Sequence, residues 1–203
     1  MLTYLLAVIA LVDVYWVLRL AWSRLICYWL PRVSLTGEGA TMISICWTTD
    51  LDIFLHMNNG KYFKEMDFGR FDFYSRSGLT EYIQARAPWY VVHHAAVSIQ
   101  YSRRPLNFLV PFKLVTRLRY WDKRSLYFEQ KFVSLHDGYV LAIATTKNTV
   151  VGCNVLTMMS DLGCTDIPSC PPDIRMWLES QEVTSASLRP AGENSINCGP
   201  KVD

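Results

Sequence analysis

A chain of 203 residues, 51% of them apolar, has room for one ordinary domain with its own core plus an appendage. The net charge of +2 and a pI near 8.2 show no strong basic excess, and no aromatic-basic motif is present, so nucleic acid is excluded as an expected partner. Six cysteines without C-x-x-C spacing or histidines in ligand register indicate neither a metal site nor a disulfide framework, and no cofactor is expected.

Met1 to Leu18 is apolar apart from Thr3 and Asp13. As a helix rising ~1.5 Å per residue it would be about 27 Å long, the short end of what crosses a bilayer core. No Lys or Arg precedes the run, and Tyr15, Trp16 and Trp22 crowd the place where a signal peptidase needs small residues. Residues 1–33 therefore read as a retained membrane-anchor helix with an interfacial segment. Arg19, Arg24 and Arg32 all follow the run, which by the positive-inside tendency leaves the rest of the chain in the cytosol. The scattered cysteines agree with a reducing compartment. Asp13 is unfavourable by ~2.5–3.5 kcal/mol at mid-span on insertion scales, which leaves a shallow or tilted insertion open. The alternative is a cleaved signal peptide and a secreted domain.

Residues 34–40, rich in Ser, Thr and Gly, read as a linker, and a domain over 41–152 begins with a strand from Met42 to Trp47. The next stretch, Thr49 to Tyr62, concentrates the polar chemistry of the chain: Asp50, Asp52, His56, Asn58 and Asn59. Taken singly, each has an ordinary reading, as a cap, a hydrogen-bonded core histidine or a turn. Asn-Asn-Gly suits caps and turns, so the stretch reads as a loop feeding a helix N-terminus. The unpaired N–H groups there favour a carboxylate or an oxygen that gains negative charge.

Tyr62, Phe63, Met66, Gly69, Arg70, Phe73 and Ser77 then recur at steps of three and four, predicting an amphipathic helix that ends near Gly78. A glycine on its inner face is expected where a helix lies close to a sheet. Strand-like segments follow at Tyr90–Arg103, Phe112–Trp121, Leu126–Leu135 and Tyr139–Thr149, with turns at Asp122-Lys123-Arg124 and His136-Asp137-Gly138. Pro105 and Pro111 confine Leu106–Val110 to a bulge or connection. One strand, a long helix and a meander of strands predict an α+β fold, a central helix wrapped by a curved antiparallel sheet. Adjacent His93 and His94 point to opposite faces of a strand and are read as packing or exposed residues, not a ligand pair. Residues 153–203 form an extension that carries Pro168, Pro171 and Pro172, a short helix over Asp173–Glu182 and an end containing Ser, Gly and Pro that is expected to be disordered.

Asp50-Leu51-Asp52, three residues, then His56-x-Asn58-Asn59-x-x-Tyr62 resembles the pattern of hot-dog fold thioesterases, including plant acyl-carrier-protein thioesterases and bacterial acyl-CoA thioesterases. The chain further resembles one branch of that superfamily, the thioesterase superfamily member six proteins. The residues that carry this likeness are Pro111-Phe112, Thr116-Arg117-Leu118, Trp121-Asp122, Glu129, Phe132-Val133-Ser134-Leu135 and Asp137-Gly138.

The resemblance implies a hot-dog fold, hydrolysis of acyl-CoA or another acyl thioester in lipid metabolism, and a homodimer or higher oligomer. It also implies a membrane location at the endoplasmic reticulum. It assigns Asp52 as base or nucleophile, His56 as the group that polarises the carbonyl or orients water, and Asn58, Asn59 and Gly60 as the oxyanion and positioning segment. Arg103 and Arg104 are candidates for the phosphates of coenzyme A. One position departs from the plant pattern: Phe54 stands where an asparagine is expected. The alternative reading is therefore a hot-dog protein that binds acyl chains or scaffolds partners at a membrane without turnover.

Overall fold

The computed structural model describes residues 14–86 and 91–187. Thirteen residues of the expected anchor, Tyr90 of the first long strand, Cys198 and the tail beyond residue 187 lie outside them. The described elements are α1 (Val14–Cys27), β1 (Ala40–Ile45), a 3-10 turn (Thr48–Asp50), α2 (Asn59–Ser77), α3 (Leu79–Arg86), β2 (Val91–Tyr101), β3 (Pro111–Trp121), β4 (Ser125–Ser134), β5 (Val140–Val151), α4 (Val155–Asp161) and α5 (Pro172–Ser187). The described residues up to Pro168 form one compact unit. Ser169 onward, with α5, forms another, whose helix starts at a proline, the residue best tolerated at a first helical position.

In the first unit the five strands form one antiparallel sheet in the order β1-β3-β4-β5-β2, curled around α2. The hot-dog arrangement expected above is the one observed. The turn residues explain the β3–β4 hairpin: Asp122 Oδ1 accepts from the N–H groups of Arg124 and Ser125, both at 2.7 Å. Asn58 caps α2, its side chain accepting from Gly60 N–H at 2.8 Å, and Gly78 ends the helix in the left-handed conformation with φ 85°.

The centre of α2 meets the sheet at Gly69. A Cβ there would lie 2.6 Å from Thr116 Oγ1 and 2.8 Å from Leu114 Cδ2, so only glycine permits this approach. A buried polar seam runs through the contact: Gln130 Nε2 donates to Met66 O (2.9 Å) and Thr116 Oγ1 (3.1 Å), and Arg70 Nη1 donates to Gln130 Oε1 (3.0 Å). Satisfied polar groups of this kind are tolerated in a core and restrict how the helix sits. Apolar clusters flank the seam, one around Phe73, Trp121, Phe128 and Met158, the other around Tyr62, Met66, Phe112 and Phe132.

Helix α1 lies along α2. Arg19 forms a two-pronged ion pair with buried Glu65 (Nη2 to Oε2, 2.6 Å), its guanidinium stands 4.2 Å over the Phe68 ring, and Cys27 Sγ donates to Asp72 Oδ1 at 3.2 Å. Arg19 precedes Cys27 as Glu65 precedes Asp72, so the two helices run parallel. The following segment is tied down as well: Val33 N–H donates to Arg76 O (3.1 Å), and Leu35 is buried in the core. Among the described residues no helix is long and apolar enough to cross a membrane.

Candidate functional site

At the N-terminal end of α2 two loops lie side by side. The first, residues 46–58, delivers the helix; the second, residues 102–110, joins β2 to β3. Their backbones pair: Met57 N–H donates to Leu106 O (2.7 Å), Leu109 N–H to Cys46 O (2.8 Å) and Cys46 N–H to Val110 O (3.3 Å), with a bridge between His56 and Asn107. This explains why Leu106–Val110, expected as a bulge or connection, forms no regular strand: its backbone groups are used by the neighbouring loop.

Residues 51–57 make a miniature hairpin. Leu51 bridges Met57, Asp52 N–H donates to His56 O (2.8 Å), and Leu55 N–H donates to Asp52 O (3.1 Å). The Asp52 side chain organises the bend, its Oδ1 accepting from Phe54 N–H (2.8 Å) and His56 N–H (3.2 Å). Among the described residues its second oxygen has no hydrogen-bond or ion-pair partner. The carboxylate is thus fixed by one oxygen and half-buried, with the other oxygen left to act. The His56 ring is exposed in the adjoining position of the hairpin.

Asp50 is used differently. It is buried, its Oδ2 accepts from Trp47 N–H (2.9 Å), its backbone carbonyl accepts from Asn58 N–H (2.8 Å), and Lys61 Nζ lies 3.4 Å from Oδ1. These contacts shape the loop and pin it to the helix.

Of the three N–H groups in the expected oxyanion segment, two are occupied: that of Asn58 by Asp50 O, and that of Gly60 by the Asn58 side chain. Asn59 N–H has no partner among the described residues and lies in the first turn of α2, where the helix dipole favours negative charge.

Arg104 pairs with Asp137, lies 5.2 Å from the Tyr139 ring centroid and reaches Ser134 Oγ at 3.4 Å, so it serves the β4–β5 turn. This guanidinium, with the Tyr139 N–H, holds the Asp137 carboxyl down at about 2. Arg103 is exposed and has no side-chain partner among the described residues.

His93 and His94 diverge as expected. His94 Nδ1 is 2.9 Å from Asn148 Oδ1, and burial, then the nearby Arg70 charge, holds its pKa below the usual value. His94 lines a cavity of about 670 Å³ between α2, α3 and the β2 edge, together with Arg24, Arg70, Tyr74 and Asn148. Cys46 is buried beside Asp50 and Glu65, which with desolvation raises its thiol to about 11, so it carries no thiolate near neutral pH. Among the described residues no group of His, Cys, Asp and Glu is arranged to hold a metal ion.

Sequence reasoning missed Arg19, Lys61 and Glu65, which together with Asp50 form a charged cluster under α1. One signal was present: Glu65 sits three residues after Tyr62 and four before Gly69, a carboxylate on the stripe that otherwise faces the core.

Residues 46–178 match the model of the thioesterase-like superfamily. A Drosophila melanogaster protein named THEM6 is 38% identical over 154 residues, covering 75% of this chain and 78% of its own length. A Xenopus laevis protein of the same name is 31% identical over 186 residues, covering 90% and 88%. Among solved structures, a gentisyl-coenzyme A thioesterase superposes with a TM-score of 0.52 at 19% identity, over 61% of this chain and 98% of the other. A hypothetical protein from Aquifex aeolicus gives 0.53 at 14%, over 61% and 98%. At these identities the superpositions establish the shared fold.

Proposed function

We propose, on the premise that this chain belongs to the THEM6 family of the thioesterase-like superfamily, that it hydrolyses acyl thioesters of coenzyme A, with Asp52 as the acid-base centre. The supporting observation is the Asp52 carboxylate, fixed through Oδ1 by the N–H groups of Phe54 and His56 while Oδ2 has no partner among the described residues, in the hairpin that leads into α2. In the general-base form, Oδ2 takes a proton from water as the water oxygen bonds to the carbonyl carbon. The oxygen that becomes negative is met by Asn59 N–H, and collapse breaks the carbon–sulfur bond, with the proton passing to the departing thiolate. In the nucleophilic form, Oδ2 itself bonds to the carbonyl carbon, the thiolate leaves, and water then cleaves the anhydride. His56 orients the water or polarises the carbonyl in either form. Phe54 is 69% exposed, so its side chain is largely in solvent and not packed in the core.

The proposal includes a membrane location with the domain in the cytosol, supported by the apolar composition of the residues before Asp13 and by the outer face of α1, where Leu18, Trp22 and Leu25 are exposed, as is Trp29 just past its end. It also includes a dimer, supported by β2, an eleven-residue edge strand of the sheet whose outer side has no partner strand among the described residues. Full-length protein assayed against acyl-CoAs of graded chain length is the direct test. Turnover supports the proposal, whereas saturable binding without thiol release supports the alternative of a non-catalytic acyl-binding protein. Protease protection in intact microsomes and light scattering test the location and the dimer separately.

A further inference from the structure

The two loops at the start of α2 expose an unusual set of side chains. Ile53, Phe54 and Leu55 are 90%, 69% and 69% exposed, and beside them Trp47, Phe108 and Leu109 are all above 40%. They form one surface: the loops are joined at His56 and Asn107, and the Trp47 and Phe108 rings stand 6.1 Å apart. Leu55 and Leu109 both have left-handed backbones, with φ 61° and 57°, a conformation that L side chains rarely adopt. Two strained leucines at the tips of paired loops, each holding a large apolar side chain in solvent, do not serve the core. A contiguous apolar patch of this kind marks an interaction surface.

The course of α1 identifies what covers it. Because α1 runs parallel to α2, Val14 lies at the end of the domain where α2 begins and where this tip projects. The thirteen residues that precede Val14 are apolar apart from Thr3 and Asp13, so the strongly apolar part of the chain joins the domain at that end. We propose that the tip formed by Trp47, Ile53–Leu55 and Phe108–Leu109 inserts into the surface of a phospholipid bilayer beside the N-terminal run. The inference rests on the membrane location above and deepens it. The candidate catalytic hairpin then faces the lipid surface, and the acyl chain of a membrane-dissolved thioester reaches Asp52 without first entering water.

The test uses full-length protein with Phe54→p-benzoylphenylalanine, reconstituted with phosphatidylcholine–phosphatidylserine vesicles and irradiated. The same photoreactive group at Lys123, in the β3–β4 turn at the opposite end, serves as the reference. The expected result is a lipid adduct at position 54 with at least a several-fold higher yield than at position 123. Vesicle flotation without preferential lipid adducts at position 54 overturns the tip inference and leaves the membrane location standing. Adducts to a second copy of the chain, or to the peptide spanning Met1 to Asp13, also overturn it by naming a different occupant. Failure to float with vesicles overturns both the membrane location and the tip, while hydrolysis measured in solution keeps the catalytic proposal separately testable.

Discussion

The middle and the N-terminal end of α2 are built on opposite principles. At Gly69 the helix touches the sheet, the surrounding side chains are buried, and every polar atom named in the seam has a partner. At the N-terminal end the two paired loops break local rules: Leu55 and Leu109 adopt left-handed dihedrals, Phe54 and Phe108 face solvent, and Asp52 keeps one oxygen without a partner among the described residues. Consistency across levels is what specifies a fold, and departures from it concentrate where a protein acts. The contrast therefore separates residues that should govern stability from residues that should govern chemistry, and substitutions can break that separation.

The largest effect is expected at Asp52. Asp52→Asn keeps an oxygen to accept from the N–H groups of Phe54 and His56 but removes the charge, so turnover should fall by ~10²–10⁴ while the melting temperature is unchanged. His56→Ala should lower turnover less, at equal stability. Steady-state hydrolysis and thermal melting on the same preparations check both; wild-type turnover in Asp52→Asn would remove Asp52 from the chemistry.

Gly69→Ala should show the converse. In an open helix alanine is better than glycine by ~1 kcal/mol, but here the added methyl meets Thr116 Oγ1 at 2.6 Å, and overpacking of this kind typically costs about 1–3 kcal/mol. Gly60→Ala, whose Cβ would meet only Asn58 Oδ1 at 3.2 Å, is the control and should be close to neutral. Denaturant midpoints compare the two, and equal values would mean that the helix does not depend on this close approach.

The sequence made the middle of α2 legible for the same reason that Gly69 is irreplaceable. Periodic burial writes itself into residue type, so the helix was expected from Tyr62 and found from Asn59, and each strand of the meander was expected within about two residues of its observed start. Two short helices were not anticipated. Helix α3 begins directly after the Gly78 cap, leaving no intervening breaker to announce it, and α4 is only seven residues long. Its cap was visible, since Asn154 accepts from Leu156 N–H at 2.9 Å. At the site the residue types of Asp52 and His56 were legible through resemblance. The partner of their loop was not, because the pairing of His56 with Asn107 joins residues far apart in sequence and leaves no local pattern. Nor did composition announce that the N–H groups of Asn58 and Gly60 would be consumed internally.

A smaller effect is expected from Leu55→Gly, which probes whether the end of the helix is strained. A left-handed L-residue costs roughly 1–2 kcal/mol, which glycine relieves, while the greater freedom of glycine in the unfolded chain returns ~0.5–1 kcal/mol of that. Because the Leu55 side chain is 69% exposed, little packing is lost, and stability should rise by less than about 1 kcal/mol. A clear loss of stability would show that the leucine is buried in the folded protein in solution and would weaken the contrast between middle and end.

The smallest effect concerns the surface charge at this same end. The Arg104 hydrogen bond, with that from Tyr139 N–H, lowers Asp137 from its ordinary 3.8 to about 2, so the folded state holds the carboxylate more acidic than the unfolded chain does. The stability this contributes is fully present above about pH 4 and is lost as pH falls through about 2, because the unfolded chain takes up the proton first. Asp137 is exposed and screened by solvent, so the change should be small and should shrink further with added salt. Melting temperatures of wild type and Arg104→Gln measured from pH 6 to 2 should differ slightly at the upper end and converge at the lower. A gap that persists unchanged at pH 2 would mean that Arg104 acts through its packing on Tyr139 and not through the carboxylate, and the end of the domain would then be held by contact rather than by charge.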